Sequence, residues 1–147
     1  MATWIKPTES DLAASLSQSE IDAFRQDGAL DGSDPVAALL GRTARLVAGY
    51  VASGGRCSKM GPAGTIPVAL VIPAMDYAAA KVLNRLNVPL SEDRRNALKR
   101  AEEIFDRLAA GDYAVEDYRE ADEAISADAL PASSPAYADA APARLLD

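Results

Sequence analysis

Histidine is absent from this chain, and cysteine occurs once, as Cys57. Losing imidazole removes the commonest general base at neutral pH and the commonest zinc ligand. A Ser-His-Asp or Cys-His device therefore cannot be built, and one thiol without imidazole leaves no structural zinc site. A single cysteine also excludes an intrachain disulfide, which fits a reducing compartment. Aromatic residues make up only 5% of the chain although 49% of it is apolar, much of that alanine. The core is expected to be thin and built from close-packed helices. No apolar run reaches the length that spans a bilayer, so no membrane partner is expected. The opening "MATWIKPTES" lacks the basic segment and apolar stretch of a secretory signal, so synthesis in the cytoplasm is the expectation.

What is present begins with charge. Residues 1–111 hold 13 basic and 13 acidic side chains, whereas residues 112–147 hold two against nine, so the whole net charge of −7 lies in the last quarter. Such a segment repels free nucleic acid and suits a basic protein surface. At 147 residues the chain fits one domain. The division expected is a helical body over 1–111 and an acidic, Ala/Pro-rich arm over 112–147.

Helix signals dominate the body. "PTESDLAASLS" offers Thr8 or Ser10 as a cap and places Leu12 and Leu16 one turn apart; "SQSEIDAFRQDG" repeats the plan with Ser17 or Ser19, Ile21, Phe24 and a stop at Gly28. In "DPVAALLGRTARLVAGYVAS", Asp34 caps, Pro35 sits harmlessly in the first turn, and Val36, Leu39, Leu40, Thr43, Val47, Tyr50 and Val51 form a stripe ended by Gly54 and Gly55. "TIPVALVIPAMDYAAAKVLNRL" reads as a helix with Pro67 at its start; Pro73 predicts either a kink or a short first turn that breaks before a helix of about residues 73–85. Met75, Ala79, Val82, Leu83 and Leu86 supply its buried side. "SEDRRNALKRAEEIFDRLAAGD" has Ser91 as cap, Gly111 as stop, and Ala97, Leu98, Ala101, Ile104, Phe105 and Leu108 on one face. Past Asp112 the periodicity weakens to a turn or two of helix at most, and no strand shows alternation. The expected fold is all-α: a small bundle of four to five helices with a long inter-helix loop and an extended C-terminal tail.

The stretch "SGGRCSKMGPAGTIP" looks most like a chemical device. A phosphate loop needs G-x-x-x-x-G-K-[ST] between a strand and a helix; here Lys59 precedes Met60 and Gly61, and the loop leaves a helix. The spacing fails. Arg56 and Lys59 beside Cys57 favour a lowered thiol pKa, set against an incidental cysteine with neither base nor resolving thiol. The same two cations suffice for weak, non-specific contact with DNA phosphate. "DGALDGSDP" has the acids of a calcium loop without EF-hand spacing. Glu116, Asp117, Glu120, Asp122 and Glu123 are dense but lie in the least regular region, where a solvated charge run is the simpler reading than a catalytic pocket. Arg94, Arg95, Lys99 and Arg100, followed by Glu102, Glu103 and Asp106, fit either a solvated helix face with pairs such as Lys99 and Glu103, or an intersubunit contact that is basic on one copy and acidic on the next.

Taken in order, the pieces resemble the phage Mu-like head-completion proteins, small helical head-to-tail connector (adaptor) proteins, over about residues 10–111. "SDLAASLSQSEI" is similar to that family's opening helix start. "ALLGRTARLVAGYV" is similar to its long helix ending in Gly-Tyr-aliphatic, the joint with Arg56 and Pro62 to its loop, "IPVALVIPAMDYAAAKVL" to its Pro-led helix, and the segment from Ser91 to its final helix. Pro73 and Tyr77 depart from the pattern.

The resemblance implies a structural virion protein rather than an enzyme, with no cofactor or metal. It implies a homo-oligomeric ring, commonly of twelve subunits, that docks on the portal protein, meets a stopper or tail-completion protein, and passes genomic DNA without sequence-specific binding. The protein would be made in the host bacterial cytoplasm and reside in the virion neck. Arg56 and Lys59 would then face the channel or a partner, and the tail, with Leu130, Pro131, Tyr137, Leu145 and Leu146, would be the portal-docking arm. Alternatives are a stopper or tail-completion protein of the same neck, a small helical regulatory or DNA-associated protein, and a carboxylate-dependent metal enzyme.

Overall fold

The computed structural model of the chain describes residues 2–28 and 33–120. Short polar side chains start its helices. Thr8 accepts a hydrogen bond from the Asp11 amide while the Asp11 carboxylate accepts one from the Thr8 amide, and this reciprocal cap opens α1 (Glu9–Leu12). Ser17 and Glu20 repeat the arrangement at α2 (Gln18–Asp27), which ends at Gly28. Asp34 caps α3 (Pro35–Gly54) through the Val36 amide, and Gly55 turns the chain out of it in the left-handed region at φ 69°. Ser91 caps α5 (Glu92–Ala110), which stops at Gly111 with φ 81°.

Proline, not serine, shapes the way into α4 (Val71–Arg85). Pro67 belongs to a two-residue strand, β2 (Ile66–Pro67), that pairs antiparallel with β1 (Trp4–Ile5), and a single 3-10 turn (Val68–Leu70) joins it to the helix. Pro73 is the third residue of α4, where a backbone N–H has no partner within the helix, so its missing donor costs nothing and the helix runs unbroken to Arg85. The expected kink gives way to the other outcome, a separate first turn, with the boundary two residues earlier than expected. Pro67 is a strand residue rather than the first of a helix, and the two-strand ladder answers the expectation of no strand. At the far end Asn87 takes φ 58°, and the Val88 and Asn87 amides close on the Leu83 and Asn84 carbonyls, a Schellman stop.

The five α-helices among the described residues wrap one core, with α4 packed on α5 and both on α3. Leu12, Ile21, Val36, Val47, Val51, Leu70, Met75, Val82, Leu83 and Leu108 are almost fully buried. Alanines at 74, 78 and 101 are buried beside them and let helices approach closely, as the composition implied. Phe105 anchors the α3–α4–α5 junction: Tyr50 stacks on it with ring centroids 5.4 Å apart, and Tyr77 meets it edge-on at 5.7 Å. Ala97, Leu98 and Ile104, expected on the apolar face of α5, are half-buried.

The ends of α3 and α5 touch backbone to backbone. A Cβ placed on Gly54 would lie 1.9 Å from the Leu108 carbonyl oxygen, so only glycine permits this crossing. Between helices, an ion pair fixes the base of the bundle: Arg94 on α5 donates twice to Glu20 on α2, both at 2.9 Å. Arg25 pairs with Glu9 and Asp34, and Arg85 with Asp27 at 2.8 Å.

Candidate functional site

The loop after α3 and the chain after α5 form one surface. Beyond Gly111 the chain is irregular rather than helical, and it runs back over β1 and the loop. The Trp4 indole N–H donates to the Glu116 carbonyl at 2.8 Å, the Thr3 hydroxyl to the Asp117 carbonyl at 2.8 Å, and the Thr3 amide to the Arg119 carbonyl at 3.1 Å. The Arg119 amide returns a bond to the Thr3 hydroxyl at 2.8 Å. On the loop side, the Tyr118 amide donates to the Lys59 carbonyl and the Ser58 amide to the Asp117 carboxylate, each at 2.8 Å. Tyr113, Val115 and Tyr118 are half-buried against the core, so this strap combines apolar cover with a hydrogen-bond seam.

The resemblance implies that Arg56 and Lys59 face the channel or a partner, and both side chains are exposed. Within the chain the Arg56 guanidinium donates to the Gly111 carbonyl at 2.9 Å, and the Lys59 ammonium lies 5.7 Å from the centre of the Tyr118 ring. Both cations contact the strap or the turn that leads into it, which joins the loop to the chain after α5. Gly61 adds to this junction: a Cβ there would fall 2.8 Å from the Trp4 ring, so the bare backbone lies flat against the indole.

Of the two readings of Cys57, the activated thiol does not hold. Burial first, and with it the neighbouring Asp117 carboxylate, push its pKa up against the opposing hydrogen bond with the Lys59 backbone, because both disfavour the thiolate. Asp117 moves the other way: the Ser58 N–H holds its carboxyl below the usual range. It is one member of the acidic run that has a structural task. Asp122 and Glu123 lie outside the described residues.

The α5 set divides. Arg94 is engaged by Glu20 of its own chain and leaves the candidate intersubunit group; that pair draws Glu20 down to about 2, chiefly through the hydrogen bonds from Arg94. Arg95 donates to the Leu90 carbonyl at 2.8 Å. Lys99, Arg100, Glu102, Glu103 and Asp106 are exposed, and none makes an ion pair among the described residues, the Lys99–Glu103 pair included. They form an outward band in the middle of the helix, Lys99 and Arg100 followed by the three acids, with Glu92 and Asp93 before it and Arg107 after it.

Of the acids in the connection before α3, Asp27 and Asp34 are occupied by Arg85 and by Arg25, and Asp31 lies outside the described residues. Leu130, Pro131, Tyr137, Leu145 and Leu146, the docking-arm residues, also lie outside them. Among the described residues no group of three or more potential metal ligands converges, and no helix is long and apolar enough to cross a membrane. Two apolar features were not anticipated: Ile72, 75% exposed beside Val68, and a cleft of about 330 Å³ between Tyr77, Val88, Leu90 and Leu98. The strap is a third, although Tyr113 and Val115, two residues apart, carry a faint strand-like alternation. Comparison with protein-family models, with curated proteins and with solved structures finds no match.

Proposed function

We propose that the protein is a structural virion component, a head-to-tail adaptor that forms a ring beneath the portal, extends the DNA channel and joins capsid to tail. The observation that carries this reading is the outer face of α5. In its middle, between Glu92 and Asp93 at the start and Arg107 at the end, exposed Lys99 and Arg100 are followed by exposed Glu102, Glu103 and Asp106, and none of these five makes an ion pair among the described residues. A contact of the basic part on one copy with the acidic part on the next is heterologous, and such a contact gives a ring where its rotation closes. The resemblance is the second support, and the stretches it rests on before and after the glycine-rich joint are mainly helical. The strap supports an arm: it leads the chain to Glu120 at the body surface, from where 27 further residues follow.

In this reading the ring passes DNA without reading its sequence, the acidic arm docks on a basic surface of the portal, and a stopper or tail-completion protein meets the opposite face. The test is attachment to the portal protein encoded with it, by the full chain and by a chain lacking residues 126–147. The full chain is expected to attach, and the shortened one to keep its helical content yet not attach. Undiminished attachment of the shortened chain overturns the docking arm, and no attachment by the full chain overturns the adaptor.

A further inference from the structure

A groove of about 380 Å³ opens where three segments meet: the chain after β1, with Lys6 and Pro7, the middle of α3, with Leu40, Gly41 and Arg45, and the turn at residues 62–65, with Ala63. Pro7 and Leu40 are buried and make its bottom apolar. The turn is a set wall, because the Thr65 amide and hydroxyl both donate to the Pro62 carbonyl, at 3.1 and 2.6 Å. Lys6 and Arg45 are exposed, come from different walls, and make no ion pair or side-chain hydrogen bond among the described residues. The nearest acids along the chain are committed: Glu9 and Asp34 hold Arg25, and Asp11 closes the Thr8 cap. Arg42, one turn of α3 before Arg45, is a further exposed cation, and no acid lines the groove among the described residues.

Gly41 has no packing task inside the chain. It sits in the interior of α3, where glycine weakens a helix. Apart from its chain neighbours and its own helix backbone, the one atom within 4 Å of the point a Cβ would occupy is a guanidinium nitrogen of Arg45, at 3.8 Å. The bare backbone instead leaves the groove open beneath that guanidinium.

Shape and charge together select the ligand. An apolar floor offers nothing to a phosphodiester backbone, and a groove of this volume admits one or two aliphatic side chains rather than the width of a duplex. Two cations on separate walls ask for negative charge on both sides of that apolar anchor. An extended peptide with an aliphatic residue flanked by acids supplies both. The net charge of −7 on the whole chain disfavours a long polyanion at range, whereas a short acidic peptide meets the rim cations at close quarters.

We infer that this groove is a docking site for an acidic peptide segment of a partner protein, with an aliphatic side chain seated over Pro7 and Leu40 and carboxylates on Lys6 and Arg45. The inference does not rest on the adaptor reading.

Fluorescence anisotropy of a labelled octapeptide, Gly-Glu-Glu-Leu-Leu-Glu-Glu-Gly, titrated with the full chain at low salt tests it. Saturable binding is expected, weakened at least about fivefold by added salt, by glutamine in place of the glutamates, or by serine in place of both leucines. On the protein side, K6E/R45E should weaken it at least about tenfold, and Gly41→Leu, which fills the groove without altering charge, at least about fivefold. Circular dichroism checks that each variant keeps its helices, and if K6E/R45E does not fold, K6Q/R45Q gives the same comparison with a smaller loss. Absence of saturable binding overturns the inference, as does binding indifferent to K6E/R45E or to Gly41→Leu, or equal binding of the serine peptide. Displacement of the peptide by a DNA duplex at lower concentration than by unlabelled peptide would mark a polyanion surface, and a fall in the chain's own solution mass on K6E/R45E would assign the groove to a second copy. Either result overturns it as well.

Discussion

Replacing Gly54 by alanine should be among the most damaging single-methyl additions in the body. The new Cβ would stand 1.9 Å from the Leu108 carbonyl oxygen and 3.1 Å from its carbon, with the Gly111 amide nitrogen at 3.4 Å. These are backbone atoms, so no side-chain rotation relieves the clash; the ends of α3 and α5 must part by roughly 1.5 Å to restore ordinary contact, near the upper end of the ~1–3 kcal/mol range of overpacking. Alanine returns about 0.5–1 kcal/mol through helix propensity, which leaves a net loss of about 2 kcal/mol. For a body of this size that lowers Tm by about 8 °C.

Gly49 is the internal control. It is exposed on the same helix, nothing lies within 4 Å of the point its Cβ would occupy, and Gly49→Ala should stabilise by about 0.5–1 kcal/mol. Urea unfolding followed by circular dichroism, with Trp4 fluorescence as a second probe, measures both. A Gly54→Ala protein as stable as Gly49→Ala would refute the close crossing of α3 and α5.

Further outcomes follow from the ion pair, the thiol, the strap and the exposed patch. Glu20 has a folded pKa of about 2 against an ordinary value of 4.5, so its contribution is present above about 4.5 and is lost as pH falls toward about 2. Glu20→Gln should flatten the fall in stability across that window by about 1–2 kcal/mol, as acid titration of urea midpoints would reveal; an unchanged slope contradicts the pairing with Arg94. Cys57 should be alkylated more slowly than a free thiol at pH 8, and Asp117→Asn should speed the reaction, with a rate equal to free cysteine counting against its burial. Trp4→Phe removes the donor to the Glu116 carbonyl and should cost about 1–3 kcal/mol, with faster proteolysis within residues 112–120; equal stability would mean that the strap is not seated on the indole. Ile72→Ser, at a side chain 75% exposed, should change stability by no more than about 0.5 kcal/mol, and a large loss would show that this side chain is buried in the isolated protein.

How far the sequence could be read depended on the range of the interaction. Ser17, Asp34, Ser91 and Gly111 act within a few residues of themselves, and their roles as caps and stops were legible from local pattern. The apolar stripes of α3 and α4 were legible for the same reason. The strap was not, because its bonds join Trp4 to Glu116 and Thr3 to Asp117, residues more than a hundred positions apart, and no local period encodes them. That nonlocal seam also changed the meaning of the glycine-rich joint: Arg56, Lys59 and Cys57 look chemically free in sequence but are occupied or covered once residues 111–118 lie across them. Composition groups Arg94 with its neighbours on α5, whereas its direction on the helix turns it inward to Glu20.

The central claim is assembly, and the mass of the particle tests it most directly. If the proposed function is right, native mass spectrometry of the full chain, alone and mixed with a phage portal protein, should give a ring, or a portal-bound ring of about twelve copies. Charge reversal at Lys99 and Arg100 should weaken it. A monomer of 15.4 kDa that ignores the portal would contradict the account.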